Sequence, residues 1–202
     1  MRVLRRGDAL KITEVWDEAW LPQFAAAHPK ARVGEHCLFM APDKVRLRGP
    51  IRIDPFFLST CGIDAAGMNH VGPNVFFNGG PGQTVRLGEW AFVGAGSRLI
   101  TASDDYSGAW GPIGPYGSNF MERGDIVLAP FSGVAVGTTL LPGVELPEGV
   151  CIAAHGLVRG IDAEQMEPWT VYACVPGREP KRLYSRDEDS IRRLAEDKEF
   201  LK

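Results

Sequence analysis

Two sets of side chains in this sequence can take up and release protons. The first set is the four histidines of the chain: His28, His36, His70 and His155. An imidazole has an ordinary pKa of about 6.5, so it exchanges protons near neutral pH. The second set is the carboxylate pair Asp104 and Asp105 in SDDYSG, where a neighbouring like charge can raise a carboxyl pKa. Ser and Asp in such a segment also form turns, so proton transfer and turn formation both stay open here.

Composition narrows the class of protein. The chain of 202 residues has a net charge of -3, which gives no electrostatic reason to expect nucleic acid or membrane binding. No apolar run resembles a signal peptide or a membrane span. The four cysteines show neither CxxC nor another metal-ligand spacing: Cys37, Cys61, Cys151 and Cys174. We therefore expect reduced thiols, no bound metal, no membrane insertion and a cytoplasmic location.

Apolar residues recur every six positions, and the structure built on this period must position the histidines and aspartates. Apolar residues recur at Leu128, Val134, Leu140, Leu146, Ile152 and Val158, and the register returns at Leu87, Val93 and Leu99 and at Val71 and Phe77. The following residue is often small, as at Gly72, Gly88, Gly94, Ala129, Ala135 and Ala153. This period fits neither a helix nor an ordinary strand, and chance periodicity is the competing explanation. It fits a β-helical solenoid, wound as a triangular prism with one inward apolar side chain per side.

The period also divides the chain. We predict coils over residues 45–185, preceded by an N-terminal cap segment over 1–44 whose stripe of Trp16, Trp20 and Phe24 is helix-like and covers the open first coil. A Gly- and aromatic-rich loop at 103–125 interrupts the coils, and loops of this length are typically functional.

The tail over 186–202 begins with acidic residues and predicts a C-terminal α-helix. Its apolar residues Ile191, Leu194 and Phe200 fall on one side, so we expect the helix to cover the last coil.

The same register assigns residues to the three sides of the prism. One side holds Val71, Val93, Val134 and Ile152, the second holds Phe77, Leu99, Leu140 and Val158, and the third holds Leu87, Leu128 and Leu146. Stacked coils lie about 4.8 Å apart. The corner one coil above Asn78 then carries residues 101–105, so the long loop leaves the prism directly above Asn78.

Three stretches of the chain resemble the left-handed β-helix (hexapeptide-repeat) acyltransferases. They are NVFFNGGPGQTVRLGEWAFVGAGSRLITASDDYSG, GVAVGTTLLPGVELPEGVCIAAHGLV and EPWTVYACVPGREPKRL. LLPGVELPEGVCIAAHGLV followed by PWTVYACVPGR matches the last coils and the exit segment of that family, and SDDYSG occurs in its polysaccharide branch. The likeness is strongest to sugar acetyltransferases of polysaccharide biosynthesis and to galactoside and maltose acetyltransferases. It implies a left-handed parallel β-helix.

The resemblance also implies an activity and an assembly. The activity is acetyl-CoA-dependent acyl transfer to a hydroxyl or amine of a sugar, in polysaccharide or nucleotide-sugar biosynthesis. The assembly is a homotrimer, with acetyl-CoA in the groove between neighbouring prisms and active sites between subunits. Such chemistry needs a base for the acceptor proton, N–H donors for the oxyanion and a cleft that excludes water.

The catalytic base is where this sequence departs from the family. Galactoside acetyltransferases have a His at the position of Asp104, and a carboxylate with an ordinary pKa of about 4 is a poorer base than imidazole. Asp104 and Asp105 stay candidates, but His70 leads, because coils of the polysaccharide branch often place a His at that corner. A solvated corner histidine is the alternative. His28 and His36 precede the coils in a polar stretch and are expected at the surface.

For the acceptor, the resemblance points to Asn78, which matches the acceptor-site Asn of the galactoside enzymes. Asn74 is a weaker candidate, because Asn also fills corners that need a left-handed backbone. Tyr106, Trp110 and Tyr116 suit stacking on a sugar ring, or packing of the loop on itself.

Six residues are assigned to the acetyl-CoA co-substrate: Ala135, Ala153, Ala154, His155, Arg178 and Lys181. The small alanines leave room for the pantetheine arm, and the two basic residues lie where the family's exit segment meets the nucleotide phosphates. The chain has Arg-Glu-Pro-Lys there in place of the usual Pro-Ala-Lys. His155 can contact the co-substrate or a neighbouring subunit, or be exposed.

Three other functions compete. A metal-dependent hydratase of the carbonic anhydrase type needs three converging histidines, and only His70 and His155 lie in the coils. Xenobiotic or antibiotic acetyltransferases on the same fold carry an Asn-His pair in the long loop, which SDDYSG lacks. A non-catalytic trimeric β-helix scaffold is the third alternative.

Overall fold

The computed structural model describes residues 20–80, 82–104 and 121–197, with side chains from residue 24 onward. Short strands are the main regular elements of this part of the chain. In chain order they are β1 (Ala31–Val33), β2 (Leu38–Phe39), β3 (Val45–Leu47), β4 (Ile51–Ile53), β5 (Leu58–Ser59), β6 (Gly62–Ala65), β7 (Asn69–Val71), β8 (Phe76–Asn78), β9 (Thr84–Leu87), β10 (Phe92–Val93), β11 (Arg98–Ile100), β12 (Ala102–Asp104), β13 (Met121–Arg123), β14 (Ile126–Leu128), β15 (Gly133–Val134), β16 (Thr139–Leu140), β17 (Glu145–Leu146), β18 (Cys151–Ile152), β19 (Leu157–Val158), β20 (Thr170–Ala173) and β21 (Lys181–Ser185). The helices of the described residues are α1 (Trp20–Ala27), α2 (Gly160–Ala163) and α3 (Glu188–Glu196), with a 3-10 turn at Pro42–Lys44.

Parallel pairing arranges the strands as the three sides of a prism. The first face contains β1, β4, β7, β10, β15, β18 and β20, the second contains β2, β5, β8, β11, β16 and β19, and the third contains β3, β6, β9, β14 and β17. We call the turn from the first to the second face the first corner, the next turn the second corner, and the turn back to the first face the third corner. The chain is therefore the predicted all-β solenoid, a left-handed parallel β-helix of about six turns.

Backbone pairing confirms the predicted map of the three sides. The paired residues run Val71–Val93–Val134–Ile152 on the first face, Phe77–Leu99–Leu140–Val158 on the second and Leu87–Leu128–Leu146 on the third. Each of these side chains is at most 2% exposed. Because a buried aliphatic side chain contributes about 1.5–3 kcal/mol, these ladders form the main stabilising core.

Parallel pairing begins ahead of residue 45, the predicted start of the coils. β1 and β2 already pair with β4 and β5. Val33 and Phe39 continue the six-residue spacing backward from Val45, although polar neighbours in ARVGEHC obscure it. Val33 stays 38% exposed because it lies on the terminal strand of its face.

The N-terminal helix covers this first coil, as the aromatic stripe predicts. Phe24 of α1 is buried and begins a column of rings inside the prism, with centroid separations of 5.2, 5.4 and 5.0 Å along Phe24, Phe39, Phe57 and Phe77. Trp16 lies outside the described residues, as does the side chain of Trp20.

The two histidines ahead of the coils differ. His28 is half-buried against the Phe24 ring, with centroids 4.7 Å apart, and its Nδ1 lies 3.4 Å from the Leu47 carbonyl oxygen. The expectation of a surface position is therefore wrong for His28, because α1 folds back over the coil. His36 is exposed, and its ring stacks on Phe56.

The last coil is closed by a short helix in place of a third-face strand. α2 places Ala163 in the core together with Met166. The buried Asp162 carboxylate accepts hydrogen bonds from the Arg159 backbone N–H and guanidinium, which lower its pKa and fix the start of α2. β21 then pairs antiparallel with β20 and ends the first face.

The predicted C-terminal helix is present as α3, but it does not cover the last coil. Leu194 is 52% exposed and Ile191 is only half-buried, while Phe200 lies outside the described residues. The helix is held at the third corner instead, because Arg192 pairs with Glu148 and lies 4.9 Å over the Trp169 ring. Since α2 and Met166 already close the prism, the apolar side of α3 has no open coil to bury against.

The predicted loop at 103–125 begins and ends as an antiparallel ladder. β12 pairs with β13, which joins Ala102 to Arg123 and Asp104 to Met121. Residues 105–120 lie outside the described residues. The helices that are described include none long and apolar enough to span a bilayer.

Candidate functional site

The first face presents one outward row in which basic residues precede apolar ones. Backbone pairing aligns, in order, Arg32, Arg52, His70, Phe92, Gly133 and Cys151. The residues on either side of each row member point inward and form the core. Core packing therefore does not constrain the type of side chain in the outward row. Its basic part lies in the first coils, and the Phe92 ring lies directly over Gly133, where a Cβ would meet ring atoms at 2.5 Å.

His70 is the central residue of β7, so the expected corner position is wrong, and on this face it is joined to a carboxylate. Its Nε2 lies 2.8 Å from Oδ2 of Asp54, and the imidazole is half-exposed. Asp54 is mostly buried and also accepts from Nε and Nη2 of Arg52, at 2.7 and 3.1 Å. Hydrogen bonding from Arg52, and to a lesser extent from His70, lowers the pKa of Asp54 despite its burial. The carboxylate is therefore ionised at neutral pH and holds the imidazole in a fixed orientation.

Asp54 also stands in a column of small residues at the start of the first corner. This column, which we call the first-corner column, consists of Gly34, Asp54, Gly72, Gly94, Ala135 and Ala153, each directly after its inward first-face residue. A Cβ on Gly94 would lie 2.6 Å from the Ala135 carbonyl carbon, and one on Gly72 would lie 2.8 Å from the Ala95 nitrogen. The coils thus approach closely, and the column itself carries no side chain larger than that of Asp54; we call this strip of small residues the groove.

The second residue of each first-corner turn is left-handed. Asn74 and His155 have φ of 56° and 59°, and Gly96 and Gly137 occupy the same position in the coils between them. The alternative reading of Asn74 as a corner residue therefore accounts for its type. The His155 ring lies over Gly137, since a Cβ there would meet its Nδ1 at 2.5 Å.

The predicted co-substrate residues lie together at the far end of the first corner. Ala135 and Ala153 are half-buried, while Ala154 and His155 are exposed. Ala173 lies one coil beyond Ala153 and pairs with Lys181 of β21. Arg178 lies in the turn between β20 and β21.

Val136 was not identified from the sequence, yet it lies beside Ala135 with 47% of its surface exposed. This apolar side chain borders the groove. Its position in the sequence, immediately after the small residue Ala135, could have identified it.

Two more of the predicted site residues, Asn78 and Asp104, lie at the second corner. The Asn78 carbonyl accepts from the Thr101 backbone N–H at 2.6 Å and from its hydroxyl at 3.0 Å, so the long loop does leave the prism above Asn78. Asp104 is exposed at the end of β12. Because the second corner is the edge opposite the first face, one chain cannot bring Asn78 or Asp104 to His70. Asp105, Tyr106, Trp110 and Tyr116 lie outside the described residues.

The pair Arg52–Asp54 was missed from the sequence. Extending the coil register upstream would have found it, because Arg52 pairs with His70 and Asp54 falls one coil before Gly72. Isolated charged residues in a stretch of weak periodicity gave no other signal.

Two further chemistries find little support in the described residues. No group of three or more His, Cys, Asp or Glu side chains lies close enough there to hold a metal ion. Burial raises the pKa of all four thiols, to about 11 for Cys174, which disfavours a thiolate nucleophile at neutral pH.

Comparison with known proteins agrees with the fold. No protein-family model matches the chain, and no curated protein matches it. Among solved structures, it is similar to a serine-to-alanine variant of AntD, an N-acyltransferase from Bacillus cereus, in complex with dTDP-4-amino-4,6-dideoxyglucose and coenzyme A. The TM-score is 0.68 at 19% identity, over 92% of this chain and 96% of that one.

Two other solved structures have the same architecture. AntD with dTDP and 3-hydroxybutyryl-CoA gives a TM-score of 0.67 at 18% identity, over 93% of this chain and 96% of that one. The hexapeptide-repeat acetyltransferase VCA0836 from Vibrio cholerae O1 biovar eltor, with acetyl coenzyme A, gives 0.52 at 18% identity, over 89% and 83%. At these identities the likeness establishes the fold, and the narrower resemblance to galactoside and maltose acetyltransferases stays a prediction.

Proposed function

We propose that this protein is an acyltransferase that uses acetyl-CoA and transfers the acetyl group to an amine or hydroxyl of a sugar. The observation that carries this proposal is the His70–Asp54 pair, at 2.8 Å, at the start of a groove of small residues. The pair supplies an oriented base, and the groove supplies a path for an extended thioester. The likeness to AntD favours an amine on a nucleotide-linked sugar as the acceptor.

His70 acts as the general base in this proposal. In the tautomer that donates Nε2–H to Asp54, the lone pair is on Nδ1. As the acceptor nitrogen or oxygen attacks the thioester carbonyl, its proton passes to Nδ1 of His70. The C–S bond then breaks, and coenzyme A leaves as a thiolate that takes up a proton. Asp54 stabilises the imidazolium without itself becoming protonated.

The co-substrate lies along the first corner. The pantetheine arm runs over Ala135, Ala153 and Ala154 beside His155, which brings the thioester toward His70. Arg178 and Lys181 are exposed at the far end of the same corner and bind the nucleotide phosphates.

The assembly is a homotrimer, with neighbouring chains packed through their second faces. That face carries the exposed Met40 and the half-buried apolar side chains Leu58, Phe76 and Ile100, which a neighbouring chain would cover further. Because Asn78 and Asp104 lie opposite the first face of their own chain, they reach the acceptor only from a neighbouring subunit. The loop residues Asp105, Tyr106 and Trp110 accompany them. Light scattering of the purified protein tests this, and Phe76→Glu should yield monomers.

Two alternatives share the prism, and each predicts a different result. A xenobiotic acetyltransferase would bind acetyl-CoA but would acetylate antibiotics in preference to sugars. A non-catalytic scaffold would do neither. A role in polysaccharide biosynthesis and a cytoplasmic location belong to the proposal and are tested by genetic context and fractionation.

The deciding experiment measures melting temperature and thiol release on the full chain. Acetyl-CoA at 100 times its Kd should stabilise the fold by about 2.7 kcal/mol through mass action. Free and nucleotide-linked amino- and hydroxy-sugars, beside a xenobiotic panel, then identify the acceptor through release of free coenzyme A. Absence of both stabilisation and thiol release would leave the scaffold as the function.

A further inference from the structure

The first coils form an open cleft on the edge of the first face at the third corner. Its volume is about 540 Å³, within the range of small-molecule sites. The residues that line it are Pro29, Lys30, Ala31, Arg32, Pro50, Ile51, Arg52, Met68 and Asn69. It lies next to His70, since Arg52 both lines the cleft and pairs with His70 in the sheet.

Positive charge is concentrated in this cleft. Arg32 and Arg52 are direct register partners, about 4.8 Å apart along the sheet, and like charges placed opposite each other are destabilising. Asp54 neutralises Arg52 in part. Arg32 and Lys30 have no hydrogen-bonding or ionic partner among the described residues, and none of the described lining residues is acidic. An anionic ligand would remove the repulsion.

The third face shows that such crowding is not required by the fold. Its outward row alternates in charge through Arg46, Asp64 and Arg86. Asp64 also pairs with Arg48, and Asp125 pairs with Arg86. Outward arginines on neighbouring strands are therefore neutralised by aspartates on the third face, whereas the first coils of the first face keep an excess of positive charge.

The cleft walls suit a ring beside the charges. Pro29, Pro50 and Met68 are apolar or ring-shaped, and Met68 is held in a left-handed corner with φ of 53°. The Asn69 side chain is already satisfied, because it donates to the Gly88 and Ala91 carbonyls and accepts from the Gly67 N–H. These walls are thus fixed before any ligand binds.

We propose that this cleft binds the nucleoside diphosphate of a nucleotide-linked acceptor, with the diphosphate on Lys30, Arg32 and Arg52. The inference rests on the proposed function in one respect: the sugar attached to the diphosphate is taken to be the acceptor and to extend toward His70. Arginine forks match phosphate oxygens in pairs, and Arg52 keeps donors that Asp54 does not use.

Coenzyme A also carries a pyrophosphate. The position of the cleft shows which of the two ligands, the nucleotide-linked acceptor or coenzyme A, would place its phosphates there. β4 and β20 are separated by five strand spacings on the first face, about 24 Å. The residues proposed for the coenzyme A phosphates lie beyond β20, and the cleft lies at β1 and β4. One first face can therefore carry the acceptor diphosphate at one end, His70 next to it and coenzyme A from the other end.

Calorimetry on the full chain tests this proposal, with dTDP, UDP, inorganic pyrophosphate and coenzyme A as separate probes. The double variant Lys30→Gln with Arg32→Gln should raise the Kd for dTDP or UDP at least about tenfold and leave the Kd for coenzyme A within about twofold. Arg46→Gln, on the third face, is the matched control and should change neither. Wild-type binding of the nucleotides should weaken as salt rises.

Three outcomes would overturn the proposal: no nucleotide binding by the wild type, an unchanged nucleotide Kd in the double variant, or a loss confined to coenzyme A. Both exchanged residues are exposed, and removing the Arg32 charge relieves its repulsion with Arg52, so the melting temperature without ligand should stay the same or rise slightly. Binding is measured without turnover, so loss of the cleft and failure of the acyltransferase proposal give separate results. If the protein binds dTDP but transfers no acyl group, the proposal for the cleft is supported and the acyltransferase proposal is contradicted.

Discussion

The first and second corners of this prism are built by the same winding, yet they are organised differently. At the first corner the coils repeat one tight turn, in which a small or acidic residue is followed two positions later by a left-handed one. At the second corner the turns differ in length, and the antiparallel ladder of β12 and β13 is inserted there. A repeated corner gives a continuous groove parallel to the prism axis, which suits a long ligand. An irregular corner gives room for an insertion, which suits contacts with one acceptor or one neighbouring subunit.

The largest expected effect separates the base on the first face, whose partner Asp54 begins the first corner, from Asp104 at the second corner. His70→Ala should lower kcat by about 10²–10⁴-fold, the usual contribution of a general base. Asp104→Asn, at the second corner, should leave kcat within about threefold of wild type, a smaller change than loss of a base produces. Steady-state kinetics with saturating acetyl-CoA measure both. The opposite pattern would assign the chemistry to Asp104, and retained activity in both variants would leave His155 from a neighbouring subunit.

The next effect is on stability and tests the close approach of the coils at Gly94, against Gly82, an open position of the second corner. Gly94→Ala should destabilise the fold by about 1–3 kcal/mol, because its Cβ would meet backbone atoms of the next coil at 2.6 and 2.7 Å. Gly82→Ala, at the second corner, should be neutral or slightly stabilising, because a Cβ there meets nothing within 4 Å. Chemical denaturation measures both. Equal costs would mean that the coils do not approach closely at Gly94.

A smaller effect depends on pH and concerns Asp54. Because hydrogen bonds lower the pKa of Asp54 in the folded protein, this carboxylate stabilises the fold above its ordinary pKa of about 3.9. That contribution is lost as pH falls through the lowered value. Asp54→Asn should therefore cost about 1 kcal/mol at pH 7 and progressively less below about pH 4. Urea unfolding at both pH values measures this. Asp104→Asn, with an exposed side chain, is the control, and a deficit independent of pH would contradict the ion-pair account.

The smallest effect is on co-substrate affinity at the end of the first corner. Replacing Arg178 and Lys181 together by Ala should raise the KM for acetyl-CoA about 3–10-fold with little change in kcat, because they contact a part of the co-substrate that does not react. Arg123→Ala, on the loop stem of the second corner, is the matched control. If KM rises only in the control, the phosphates bind at the second corner.

Much of the fold could be predicted because one inward residue per side repeats every six positions. Leu128, Leu140 and Val158 were each assigned to the correct side, since burial of an apolar side chain is a local choice that periodicity reveals. The terminal helix was also predicted, from Asp187 and the acidic residues after it. Its contacts were not, because whether Ile191 and Leu194 become buried depends on what already closes the prism.

The candidate site was only partly predictable. His70, Asn78 and the alanines were identified from residue type and resemblance, and the sequence could not show that they separate onto opposite sides of one chain. Arg52 and Asp54 contact each other within one coil, but they meet His70 only through stacking of coils, across 16 to 18 positions of the sequence.

By itself, then, the sequence determined the winding of this protein: period, sides, core and corners follow from where apolar and small residues recur. The tertiary structure decided which outward side chains meet. Strand stacking joins residues of neighbouring coils whose spacing depends on the length of each corner, and the sequence period constrains only the inward positions. The Asp54–His70 pair and the basic cleft beside it follow from that stacking, because the core imposes no pattern on residues that point away from it.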